Sequence, residues 1–148
     1  MTKWVSCVIL AIVCGMAVGC GSGGSSMPLV PVSGEVTFSG GPPPKSGTLS
    51  FSQIAGTGIK GLPNRPGRAE FGDDGRFTAT TFQPGDGLLP GKYQVRIECM
   101  DGIPDYGVSW ETVSFVPLDF QPPELVVEEG KGPIEVSYDV PPNPKKRK

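Results

Sequence analysis

The chain has 148 residues, 37% of them hydrophobic and 19% charged, contains no histidine, and carries a formal net charge of −2. Without histidine, His-based triads, the common zinc sites and an imidazole base are unavailable. The 22 glycines and 17 prolines exceed a quarter of the chain, which points to turns between strands, and no window of ten or more residues has helical spacing.

Residues 1–19 read as an export signal. Lys3 gives a short basic start, and Trp4–Val18 is an apolar run shorter than the about 20 residues a membrane-crossing helix needs. It ends in Ala17-Val18-Gly19-Cys20, followed by Gly21-Ser22-Gly23-Gly24-Ser25-Ser26. This junction resembles the lipobox of bacterial lipoprotein signal peptides, in which small residues precede a cysteine that is lipidated on its thiol and becomes the mature N-terminus. The resemblance implies cleavage between Gly19 and Cys20, lipidation of Cys20, and an exported protein anchored to a bacterial membrane through that residue. Ala17 stands where leucine is more usual, and Cys14 is a poor rival because Val13 precedes it. An ordinary secretory signal cut near Gly19 shares the apolar run and the small-residue site. Residues 20–31 then read as the lipidated cysteine and a flexible Gly/Ser tether. Cys7 and Cys14 leave with the signal, so Cys99 is the one thiol expected in the domain, buried and without a disulfide.

A single domain is expected over residues 32–140. Val32–Phe38 is its first strand, ended by Ser39-Gly40-Gly41 and Pro42-Pro43-Pro44. Thr48–Gln53 is a short strand, 54–67 a Gly/Pro loop, and Arg68–Phe71 a brief strand leading into Asp73-Asp74-Gly75, a turn signal. Arg76–Phe82 is expected next, with Phe77, Ala79 and Thr81 on one face. The clearest period of two is Lys92–Cys99, where Tyr93, Val95, Ile97 and Cys99 oppose Lys92, Gln94, Arg96 and Glu98. Glu111–Val116 is a candidate extra strand inside an aromatic-bearing connection, Met100–Asp119. Leu125–Glu128, a hairpin at Gly130-Lys131-Gly132, and Ile134–Val140 close the domain. About seven short strands with regular turn signals mean an all-β, antiparallel sandwich of Greek-key type.

The phrases VSGEVTFSGGPPPKSGTLSF, GDDGRFTATTFQPGDGLLPGKYQVRI and PPELVVEEGKGPIEVSYDV resemble small bacterial envelope lipoproteins with a carboxypeptidase regulatory-like, or transthyretin-like, domain. Gly34, Val36, Gly75, Phe77, Thr80, Pro90, Gly91, Tyr93 and Val95 carry the resemblance. It implies a β-sandwich with no general catalytic residues, and it weakens over residues 54–67 and 106–120.

No catalytic, cofactor or metal site is expected. Glu128 and Glu129 would point to opposite faces of a strand, and Asp73-Asp74-Gly75 and Gly85-Asp86-Gly87 have too few ligands for Ca²⁺ and read as turns. With Lys3 removed, 12 basic residues face 15 acidic ones, and four of the cations crowd into 145–148, so the acidic body disfavours nucleic acid. Residues 141–148 are expected to be a disordered, solvated basic tail, with attachment to anionic envelope polymers or headgroups as its other reading. The function expected is that of a non-catalytic, lipid-anchored envelope protein, a structural or protein-interaction module with the membrane and an envelope protein or polysaccharide as partners. A carbohydrate-binding or adhesive module is the alternative, with Tyr106 and Trp110 as stacking platforms. The aromatic-bearing connection is either a lid over the core end or a contact surface, packing being the expectation, and solvent exposure of the Tyr106 and Trp110 rings is what would favour the alternative function.

Overall fold

The strict alternation of Lys92–Glu98 is answered by strand β5 (Gly91–Glu98), whose Tyr93, Val95 and Ile97 are buried and whose Lys92, Gln94 and Arg96 are exposed. The structure is a computed structural model that describes residues 27–146. The predicted signal sequence with Gly19 and Cys20, residues 20–26 of the predicted tether, and Arg147 and Lys148 lie outside the described residues.

The other strands are β1 (Val32–Phe38), β2 (Gly47–Gln53), β3 (Gly67–Phe71), β4 (Arg76–Thr78), β6 (Leu125–Val127) and β7 (Ile134–Val140). They form a seven-stranded sandwich. One sheet has the order β4-β1-β7 and the other β3-β2-β5-β6. Both inner faces contribute to one core, with Val32, Val36, Phe77, Tyr138 and Val140 from the first sheet and Leu49, Phe51, Tyr93, Val95 and Ile97 from the second. Tyr93 lies wholly inside, and its hydroxyl donates to the Leu89 carbonyl at 2.8 Å. Burial pushes its pKa to about 12, the hydrogen bond opposing. Cys99 is buried and free, its thiol 3.3 Å from the Lys45 carbonyl, and burial raises its pKa, so it is a packing residue.

Two glycines of the first sheet are required by contact. A Cβ on Gly34 would run into the Val136 carbonyl, and one on Gly75 into that of Val36. Gly75 also has φ +74°, a conformation that side chains rarely adopt. The turn it closes is the one that Asp73-Asp74-Gly75 announces: its N–H donates to the Gly72 carbonyl at 3.0 Å, and Asp74 accepts from the Arg76 N–H at 3.1 Å.

Several expectations need correction. The pairing is antiparallel except between β1 and β7, which run parallel from Val32 opposite Ile134 to Phe38 opposite Val140. Gly130–Gly132 is no hairpin: β6 pairs with β5 and β7 with β1, so the segment carries the chain from one sheet to the other. The strand expected over Arg76–Phe82 stops at Thr78. Beyond it Ala79 bonds to Val32, and Thr80 turns to the opposite sheet, exchanging bonds of 2.9 and 2.8 Å with Arg68. The Asp86 carboxylate then gathers the N–H groups of Thr81, Phe82 and Gln83 at 2.7–2.9 Å, bending the chain away. Glu111–Val116 is not a strand either. Ser109 caps a single 3-10 turn, Trp110–Thr112, accepting from the Glu111 N–H, and only Ser114 makes a bridge, to Met100. The packed chain begins before Val32, since Val30 is buried and exchanges bonds of 2.8 and 3.0 Å with Leu88.

Candidate interaction surface

The end of the sandwich where β5 and β7 finish carries the long connection from Met100 to Glu124 and the last residues of the chain. At its base the connection is sewn to the core. The Asp101 N–H donates to the Val113 carbonyl at 2.9 Å, and the Phe115 N–H to that of Cys99 at 2.8 Å. Buried Ser114 accepts from the Val116 N–H at 3.1 Å and donates to the Val116 carbonyl at 2.7 Å. Phe115 and Phe120 are half-buried against the core, as expected for packing aromatics.

The tip is different. Ile103 is 87% exposed, Trp110 51%, and Tyr106 fully so. Tyr106 and Trp110 therefore do not pack on the core. The segment between Asp101 and Trp110 turns twice over left-handed glycines, Gly102 at φ +136° and Gly107 at φ +79°, with the Val108 N–H bonded to the Asp105 carbonyl at 2.9 Å. One turn precedes Tyr106 and the other separates it from Trp110. The result is an apolar tip on a fixed base, and burying such a group is worth about 1.5–3 kcal/mol per large side chain to whatever covers it.

The tail supplies part of the base, which corrects the expectation of a solvated tail as far as Lys146. Asn143 donates both amide hydrogens to main-chain carbonyls of the connection, Glu111 at 2.9 Å and Ser114 at 2.8 Å, while its own oxygen accepts from the Lys145 N–H at 3.0 Å. The Lys145 ammonium sits 3.1 Å from Glu111, and that of Lys146 3.1 Å from Asp101 and 4.1 Å from the centre of the Phe115 ring. Lys45 holds the other Asp101 oxygen at 2.6 Å. The two lysines keep the Asp101 carboxyl below the usual carboxylate range. This latch could not be seen in the sequence, because its partners lie 29–45 residues apart.

A concavity of about 730 Å³ lies between β3 and the outer face of the three-stranded sheet, where Glu35, Arg68, Glu70, Arg76 and Glu135 line it. None of the five is buried. It offers neither a histidine nor a cysteine, and among the described residues no group of three or more His, Cys, Asp or Glu side chains has a metal-holding arrangement. Asp86 and its two glycines form a turn: burial raises its pKa, but three backbone N–H groups outweigh that and lower it. Glu128 pairs with Lys131 at 2.7 Å in the crossover. Among the described residues no helix is long and apolar enough to cross a membrane. No family model, curated protein or solved structure matches the chain.

Proposed function

We propose that the protein is a non-catalytic interaction module of the bacterial envelope, anchored through a lipidated Cys20 and presenting the 101–112 loop to a protein partner. On this reading its sandwich is of the carboxypeptidase regulatory-like kind that the strand motifs suggest. The observation that carries the proposal is the exposure of Ile103, Tyr106 and Trp110 above a base locked by Asn143, Lys145, Lys146 and Lys45. A fixed base spares a partner part of the cost of ordering a loop on binding.

The way the chain enters the domain agrees with this. Val30 lies at the end of the sandwich where β1 and β5 begin, beside Leu88, and the loop lies at the end where they finish. The ten residues from Cys20 to Leu29 can span at most about 35 Å. An anchored domain would thus hold its Val30 end toward the bilayer and offer the aromatic tip outward. Exposure of both Tyr106 and Trp110 also favours a second reading, that the tip stacks on the rings of an envelope polysaccharide. Ile103 argues for protein first, since an aliphatic side chain adds to an apolar interface and gives a sugar no stacking face.

The test is capture from envelope fractions by the native protein and by a Tyr106→Ser/Trp110→Ser variant. A protein retained by the first and lost from the second supports the proposal. Retention of polysaccharide alone supports the second reading, and identical captures overturn both.

A further inference from the structure

Strand β7 is an open edge whose backbone phase is fixed at both ends. The Ile134 N–H donates to the Pro31 carbonyl at 2.9 Å, and the Ser39 N–H donates to the Val140 carbonyl at 3.0 Å, bracketing a parallel register with β1. In a parallel ladder a residue that faces its neighbour turns both N–H and C=O to it, and the next residue turns both away. Ile134, Val136, Tyr138 and Val140 therefore serve β1. Glu135, Ser137 and Asp139 aim three N–H and three C=O groups off the free side of the sheet. These three residues are exposed, and among the described residues no hydrogen bond takes up those groups.

The other edges are short or closed. β4 and β6 have three residues each, and β3 is tied through Arg68 to Thr80. β7 has seven residues and carries none of the proline, lysine or bulge with which proteins guard such edges. Pro133 and Pro141 bound it without interrupting it. Its inner side chains Ile134 and Val136 are only half-buried against the rim of the core, so a further strand would extend the apolar layer.

The charges on the outer face say what kind of strand fits. Glu135 and Asp139 stand four residues apart on the same face, and Asp139 is fixed there by the Gly40 N–H at 2.9 Å and the Thr37 hydroxyl at 2.8 Å. A second copy of the chain, paired antiparallel about Ser137, would set Glu135 opposite the other Asp139, like charge against like, which is unfavourable. We propose that β7 receives an extended segment of a partner protein as a fourth strand. That segment carries cationic residues four apart over Glu135 and Asp139, and apolar residues on its other face against Ile134 and Val136. Main-chain hydrogen bonds supply affinity and the alternating side chains supply selection. This surface is separate from the 101–112 loop.

The probes are two capped synthetic peptides: Thr-Val-Lys-Val-Thr-Val-Lys-Val-Thr and its counterpart with glutamate in place of lysine. Binding to the full-length protein in phosphatidylcholine nanodiscs is read by fluorescence anisotropy, and amide exchange locates it. The lysine peptide should bind at least about tenfold more tightly than the glutamate one and slow the exchange of Glu135, Ser137 and Asp139. Ser137→Pro removes one outward N–H while sparing every bond to β1, and should weaken binding about tenfold with the melting temperature held. Glu135→Lys, an exposed change, should narrow or reverse the preference between the peptides, and it decides the matter if Ser137→Pro fails to fold. The proposal is overturned by no binding of the lysine peptide, by equal binding of both peptides, or by binding indifferent to both variants. Self-association in sedimentation that Ser137→Pro abolishes would also overturn it, because a second copy would then be the occupant.

Discussion

Ending the chain at Pro142 removes the latch that holds the 101–115 connection, and its cost follows from the bonds that go with it. The two Asn143 hydrogen bonds reach part-buried main-chain carbonyls at 2.9 and 2.8 Å, and each is worth about 0.5–1.5 kcal/mol net. Lys146 over Phe115 adds about 0.5–1 kcal/mol. The ion pairs of Lys145 and Lys146 join partly exposed groups and add little beyond this, less in salt. Ordering Asn143 to Lys146 offsets part of the gain, and these residues, already confined behind Pro141 and Pro142, lose less freedom than a free chain end. The net expectation is a loss of about 1–2 kcal/mol, or roughly 5–10 °C in melting temperature for a domain of this size. Calorimetry reads the global effect, and faster exchange at the Asp101 and Phe115 amides reads the local one. Asn143→Ala should reproduce about half of it. A chain ending at Lys146 should melt like the full chain. If the chain ending at Pro142 also melts like the full chain, with those amides as protected as before, the tail is not a latch and the solvated reading of the sequence stands.

Val95→Asp places a carboxylate among Leu49, Phe51 and Ile97 and should cost about 3–5 kcal/mol or unfold the domain, whereas Gln94→Asp on the exposed face should stay within about 0.5 kcal/mol by chemical denaturation; similar values for both would mean β5 is not oriented as described. Asp86 has its folded pKa below the usual 3.8, so the stability it contributes is complete above that value and disappears as pH falls through the lower folded one. Asp86→Asn should therefore destabilise at pH 7 by about 1–2 kcal/mol and lose its disadvantage as pH falls through the lowered folded pKa, and a pH-independent difference in melting temperature would refute the assignment. Cys20→Ser should move the protein from the membrane to the soluble exported fraction, because acyl chains and not a spanning segment are expected to hold it. A variant that stays membrane-bound after a high-salt wash would disprove the lipid anchor.

The strands that could be read in the sequence are those whose burial pattern is local. Val32–Phe38, Lys92–Glu98 and Ile134–Val140 alternate strongly because one face of each packs on the core. Pairing is another matter, since a period of two says which face is inside and nothing about the neighbour. The parallel partnership of β1 with β7 and the crossover at Gly130–Gly132 follow from long-range packing that no window contains. Arg76–Phe82 misled because alternation continues past Thr78 while the hydrogen bonds change sheets at Thr80. At the candidate site, Tyr106 and Trp110 were visible as residues, but their exposure depends on the turns at Gly102 and Gly107. The cluster of basic residues at 145–148 was equally visible, and the docking of Lys145 and Lys146 depends on Asp101 and Glu111 being brought beneath them by the end of β5. Ile103 is silent in the sequence, since a lone aliphatic residue between Gly102 and Pro104 carries no signal of its own.

The most direct test of an outward-facing interaction loop is site-specific photo-cross-linking in living cells, with a photoreactive residue at position 106 of the anchored protein and, as the control, at position 94 on the exposed face of β5. The account predicts a discrete protein adduct from position 106 that is absent from position 94 and disappears when Trp110→Ser is added. No adduct from position 106, or the same adducts from both positions, would contradict it.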